Sequence, residues 1–107
     1  LQRLDYRGWL QPEVLRAVAA QPGLVEFAAR LRAPIDLAPL ATAPRLAVIE
    51  LRAHGGAVAY HPAIGQFAPL AACGQLRRLR LVDCGLDSGA VGELLRRRVT
   101  VQAVERL

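Results

Sequence analysis

The sequence predicts an α/β fold in which short parallel strands alternate with short helical returns. Three observations carry it. The chain repeats itself thirty residues apart, as "LAPLATAPRLAVIEL" from Leu37 to Leu51 and "FAPLAACGQLRRLRL" from Phe67 to Leu81. Leu37/Phe67, Leu40/Leu70, Leu46/Leu76, Ile49/Leu79 and Leu51/Leu81 are apolar in both copies, and Pro39 matches Pro69. Each copy closes on two apolar residues two apart, which in a strand point to one face while the residue between them points to the other. The segments between the copies carry helix signals and have the dozen or more residues a parallel crossover needs.

Taken in chain order, the first apolar pair is Leu4/Tyr6, predicting a strand over residues 3 to 6. "PEVLRAVAA" follows with Pro12 at the first helical position, where its missing N–H costs nothing. Phe27/Ala29 and Ile49/Leu51 predict strands over 26 to 29 and 48 to 51, with Pro39 opening a short helix between them. Pro69 is expected to open the next helix and Cys73-Gly74 to close it. Leu79/Leu81 predicts the strand over 78 to 81, and "DSGAVGELLRRR" is a helix with Asp87 as its N-cap. A strand of about five residues cannot bury its apolar face alone, so neighbouring copies must stack side by side.

Leu76, Leu79, Leu81, Cys84 and Leu86 fit L-x-x-L-x-L-x-x-C-x-L, and the chain thereby resembles the leucine-rich repeat. Earlier copies put Leu46, Ile49 and Leu51, then Leu24, Phe27 and Ala29, then Leu1, Leu4 and Tyr6 on the same template, and Val104 with Leu107 begins another. The starts at Leu1, Leu24, Leu46, Leu76 and Val104 give periods of 23, 22, 30 and 28 residues. The resemblance, to ribonuclease-inhibitor-like or bacterial arrays, implies a leucine-rich-repeat solenoid with strands on a concave face and helices on a convex one. It also implies a single domain over 1–107, acting as a protein-recognition or regulatory part of a larger protein. The family usually places Asn or Cys three residues past the strand, bonding the turn backbone. Here that position holds Trp9, Arg32, His54 and Cys84, so an irregular turn ladder is expected.

Composition narrows the class. The chain is 53% hydrophobic, but no run reaches the roughly 18 apolar residues that cross a membrane, and no signal-peptide pattern occurs. Met, Lys and Asn are absent while Arg and Ala abound, the composition of a high-GC bacterial genome, and a cytoplasmic location is expected. Solenoid ends need polar capping units, and Leu1 and Leu107 are apolar, so the chain reads as a piece of a longer polypeptide with flanking domains.

Chemistry is poorly supplied. Cys73 and Cys84 fall on opposite ends of a strand rising about 3.3 Å per residue, beyond the roughly 7 Å Cα separation a disulfide allows, so both are expected as free thiols filling the core. His54 and His61 fit no zinc spacing, and "HGG" at His54 to Gly56 lacks the rest of a phosphate loop. Ser88 is the one serine and sits at a helix start. An enzyme, a metal site and a cofactor are not expected.

Charge is more informative. The net charge is +5 and every basic residue is Arg. In strand register the outward positions form three columns: Arg3, Glu26, Val48, Arg78; then Asp5, Ala28, Glu50, Arg80; then Arg7, Arg30, Arg52, Val82. The third is an arginine ladder with rungs about 4.8 Å apart. Asp5, Glu26 and Glu50 lie in adjoining columns to offset it, which gives a self-satisfied surface lattice as one reading. The other is an acidic protein partner docking on Arg7, Arg30, Arg52, Glu50, Arg78 and Arg80, since guanidinium forks pair carboxylates bidentately. Arg96-Arg97-Arg98 ends the last helix, where cations suit the macrodipole. The alternative function is a basic nucleic-acid-binding module. Against it, acids interleave the arginines, and of five aromatics Phe27 and Phe67 are claimed by the core.

Overall fold

A single backbone junction recurs at the entry to each strand. Gln2 O accepts the Val25 and Glu26 amides at 2.8 and 2.9 Å, Val25 O accepts those of Ala47 and Val48 at 2.8 and 3.0 Å, and Ala47 O accepts those of Arg77 and Arg78 at 2.8 and 3.1 Å. Arg77 O in turn accepts the Thr100 amide at 2.8 Å. The computed structural model describes residues 2–31, 35–53, 63–95 and 99–104. Within them the junctions feed β1 (Arg3–Trp9), β2 (Glu26–Leu31), β3 (Val48–Ala53), β4 (Arg78–Val82) and β5 (Thr100–Val104) into one parallel sheet of order β1-β2-β3-β4-β5. The chain is α/β.

The apolar pairs lie in register. Phe27 stands opposite Leu4 and Ile49, Leu79 opposite Ile49 and Val101, and Leu51 opposite Ala29 and Leu81. Against this face pack α1 (Pro12–Ala19), the 3₁₀ segments η1 (Ala38–Thr42) and η2 (Ile64–Ala72), and α2 (Ser88–Leu95). Leu15 and Val18 from α1, Leu40 from η1, Phe67 and Leu70 from η2, and Val91 and Leu95 from α2 join the strand residues in one core. Of the ten positions matched between the two copies, none is more than 3% exposed. Their turns match too: the Ala43 amide donates to Leu40 O at 3.2 Å and the Cys73 amide to Leu70 O at 3.0 Å.

Local chemistry sets the helix boundaries. The Ala38 amide donates to Asp36 Oδ1 at 2.9 Å where η1 starts. Asp87 caps α2 as its position predicts, its Oδ2 accepting the Ala90 amide at 3.2 Å and its carbonyl the Val91 amide at 3.1 Å. Pro69 does not open a helix; it lies inside η2, which begins five residues earlier at Ile64. A 3₁₀ segment is a run of i→i+3 turns whose φ is already near that of proline, so the ring forfeits one amide donor and the segment continues.

The two ends of the sheet depart from the sequence expectation. Val104, read from sequence as the start of a fifth repeat, pairs with Val82 as the last residue of β5. In β1 the register slips between Asp5 and Trp9, so three residues of β1 face the single Ala29 and Trp9 stands opposite Arg30. Gly8 sits in this irregular stretch, and a Cβ there would come within 3.0 Å of Tyr6 Oη. Trp9 therefore ends a strand, half-buried, in place of a turn rung.

The turn after β4 follows the expected habit. Asp83 and Gly85 take left-handed φ values of 56° and 67° on either side of buried Cys84, whose thiol donates to Leu51 O at 3.7 Å and to Val82 O at 3.5 Å. Cys73 likewise reaches Leu46 O at 3.7 Å, and neither cysteine forms a disulfide. Arg32 and His54, the other two turn positions, lie outside the described residues, as does His61.

Leu79 is fully buried between its neighbouring strands, so Leu79→Ala is expected to cost about 2–5 kcal/mol in denaturant melts. Arg78→Ala, on the outward face with no ion pair among the described residues, is expected to change stability by no more than about 0.5 kcal/mol. Equal losses would reverse the inward and outward assignment. Asp87→Ala removes the α2 cap and is expected to cost about 1 kcal/mol in the same melts.

Candidate functional site: the open face of the sheet

Period-two alternation leaves the second face of the sheet with its charged and small residues. Glu26, Ala28, Val48, Glu50 and Arg52 are half-buried there, and Arg30, Arg78, Arg80, Thr100 and Gln102 are exposed. All-parallel sheets are ordinarily covered on both faces. In this one the described helical segments pack on the apolar face alone.

The first two sequence columns lie in register as written, Arg3–Glu26–Val48–Arg78 and Asp5–Ala28–Glu50–Arg80, extended on β5 by Thr100 and Gln102. The third is altered. Arg30 and Arg52 are direct partners, with Val82 beyond them, but the slip in β1 gives Arg30 the partner Trp9 in place of Arg7. Arg7 nonetheless stays near the ladder, on the rim of the same depression as Arg30 and Arg52.

Glu50 organises the centre. Its Oε2 accepts from Arg52 Nε at 3.1 Å and lies 3.0 Å from Arg52 Nη2, and its Oε1 accepts from Arg80 Nη1 at 2.8 Å. The Glu50 side chain is 16% exposed against 38% and 44% for the two arginines, so one carboxylate at the sheet surface holds two guanidiniums that project to solvent. Arg80 is thus coupled, and its removal unpairs one oxygen of Glu50. At the margin Arg3 approaches Glu26 at 3.8 Å, with both side chains largely in solvent, a contact worth little. Among the described residues, Arg7, Arg30, Arg78 and Asp5 form no ion pair.

Two shallow depressions flank Ala28, whose methyl group leaves a gap in the row of long side chains. One, of about 180 Å³, is lined by Arg3, Glu26, Val48, Glu50, Arg78 and Arg80 among others, and includes Gln102. The other, of about 220 Å³, is lined by Asp5, Tyr6, Arg7, Ala28, Ala29, Arg30 and Arg52. Sequence reasoning places Ala28 in its column without seeing the gap. It misses Gln102 because it starts the fifth repeat too late; the apolar alternation of Val101 and Ala103 was the available signal. Arg96-Arg97-Arg98 lies outside the described residues. Among the described residues no group of His, Cys, Asp and Glu is arranged to hold a metal, and no helix is long and apolar enough to cross a membrane.

Compared with models of protein families, curated proteins and solved structures, the chain matches none.

Replacing Glu50 by Gln leaves Arg30, Arg52 and Arg80 as uncompensated like charges on adjacent strands. Glu50→Gln is expected to cost about 1–2 kcal/mol at low salt, with the loss shrinking at higher ionic strength as the repulsion is screened. A salt-independent loss in thermal melts would show that Glu50 acts through packing.

Proposed function

We propose that this chain is a stretch of a leucine-rich-repeat solenoid serving as a protein-recognition surface of a larger, cytoplasmic bacterial protein. The reading assigns it binding without catalysis or cofactor, and a partner segment that is acidic and lies across the open face. The observation that carries it is a parallel-sheet face on which none of the described helical segments packs, with Arg30 and Arg52 held side by side on its outward surface. The repeated strand-entry junction and the Cys84 thiol bonded into the turn support the family part of the reading. Sheet-borne side chains are rigidly spaced, and a binding face fixed in advance loses less entropy on association.

The test places a photo-crosslinking residue at Arg78 on the open face and, separately, at Arg16 on the exposed side of α1, in the intact host protein. Protein adducts are expected from position 78 and not from position 16, and Arg52→Ala is expected to reduce them. Adducts from position 16 alone would move the surface to the helical layer. Capture of nucleic acid, with binding that falls steeply in a log-log plot against salt, would replace the reading with the nucleic-acid alternative.

A further inference from the structure

The two depressions beside Ala28 differ in charge. The smaller is lined by Arg3, Arg78 and Arg80 against Glu26 and Glu50, an excess of one positive charge, and Arg3 and Arg80 are already paired. The larger is lined by Arg7, Arg30 and Arg52 against Asp5 alone, an excess of two, and only Arg52 is paired, through Glu50 outside the lining. Arg30 and Arg52 are also register partners on neighbouring strands, about 4.8 Å apart, where like charges destabilise a sheet. The fold thus keeps two guanidiniums together with no carboxylate on Arg30 among the described residues.

We propose that the depression over Ala28, bordered by Arg7, Arg30 and Arg52, is a subsite for one carboxylate of an acidic side chain on the protein partner. This assignment rests on the recognition reading above. The short Ala28 side chain makes room between the strands, Glu50 fixes Arg52 through two contacts, and Arg30 presents a free fork beside it. A carboxylate entering there accepts charge-assisted hydrogen bonds from Arg30 and relieves the Arg30–Arg52 repulsion in the same step. Asp5 and Tyr6 complete the wall, and Asp5 turns away a second carboxylate at that end.

The experiment measures fluorescein-labelled hexaglutamate binding to the intact protein by anisotropy at constant ionic strength, for the parent, Arg30→Gln and Arg78→Gln. Both variants lose one charge from the open face, so a general field weakens both alike. Arg30→Gln is expected to weaken binding about tenfold, and Arg78→Gln less than about twofold because its charge is distant and screened. In thermal melts at low salt Arg30→Gln is expected to match or exceed the parent in Tm, since it removes a repulsion; a lower Tm would mean Arg30 already has a stabilising partner and overturn the subsite. Equal weakening in the two variants would overturn it as well. Absence of hexaglutamate binding, while open-face crosslinks still depend on Arg52, would reject the carboxylate and leave the recognition surface standing; loss of those crosslinks is a failure of the recognition reading itself. Inorganic phosphate binding that requires Arg30, without hexaglutamate binding, would reassign the subsite to a phosphoryl group.

Discussion

The strand-entry junction is the constraint on which the other features depend. One carbonyl accepting two amides from the next repeat, at Gln2, Val25 and Ala47 in turn, fixes the longitudinal position of each strand against its predecessor. A slip of one residue would turn every apolar pair outward and every arginine inward, so register and burial specify each other. With the register set, Phe27, Ile49, Leu79 and Val101 form one row across the sheet and Ala29, Leu51, Leu81 and Ala103 another. The two cysteine thiols extend the same device into the turns and the helical layer, each bonding a carbonyl one repeat earlier in the sequence.

The same register that stacks leucines also stacks arginines. Cross-strand pairing makes no distinction between the two faces, so a repeat carrying a cation at the outward position beside another such repeat generates a like-charge pair. Glu50 answers this at the centre by lying low in the surface and holding Arg52 from its own strand and Arg80 from the next. Its reach ends there, and Arg30, one strand over, keeps a charge exposed to whatever approaches. The lattice reading of the surface therefore accounts for Arg52 and Arg80, and the docking reading has its support in Arg30 and Arg7.

The two layers also differ in regularity. The strands repeat closely while the returns do not: α1 and α2 are α-helical and η1 and η2 are 3₁₀. The 3₁₀ segment before β4 is the longer of the two, and its end matches that of η1 in the turn from Leu70 O to the Cys73 amide, as from Leu40 O to the Ala43 amide. Both 3₁₀ segments anchor on one fully buried leucine at the same place, Leu40 and Leu70, and β3 and β4 stay in register despite returns of different length.

The sequence by itself determined β1 to β4, their parallel order and their inward faces, because a period of two written in Leu, Ile and Phe has one low-energy solution when copies follow each other. It also placed the Asp87 cap, the two cysteines too far apart for a disulfide and the Glu50–Arg52–Arg80 neighbourhood, all of which follow from spacing once register is given. Tertiary structure alone decided the rest. Whether Arg7 joins the ladder depended on the register slip in β1 between Asp5 and Trp9, which brings Trp9 opposite Arg30. Whether Pro69 began a helix or lay inside one depended on the 3₁₀ geometry of η2, and the place of β5 depended on Arg77 O reaching Thr100, since the alternation of Val101 and Ala103 is a short signal that does not fix the register by itself. Which arginines are paired was likewise outside the sequence's reach: Arg30, Arg52, Arg78 and Arg80 all lie on Glu50's own or adjoining strands within one column of it, and a carboxylate has two oxygens, so side-chain geometry chose Arg52 and Arg80 and left Arg30 and Arg78 to the solvent.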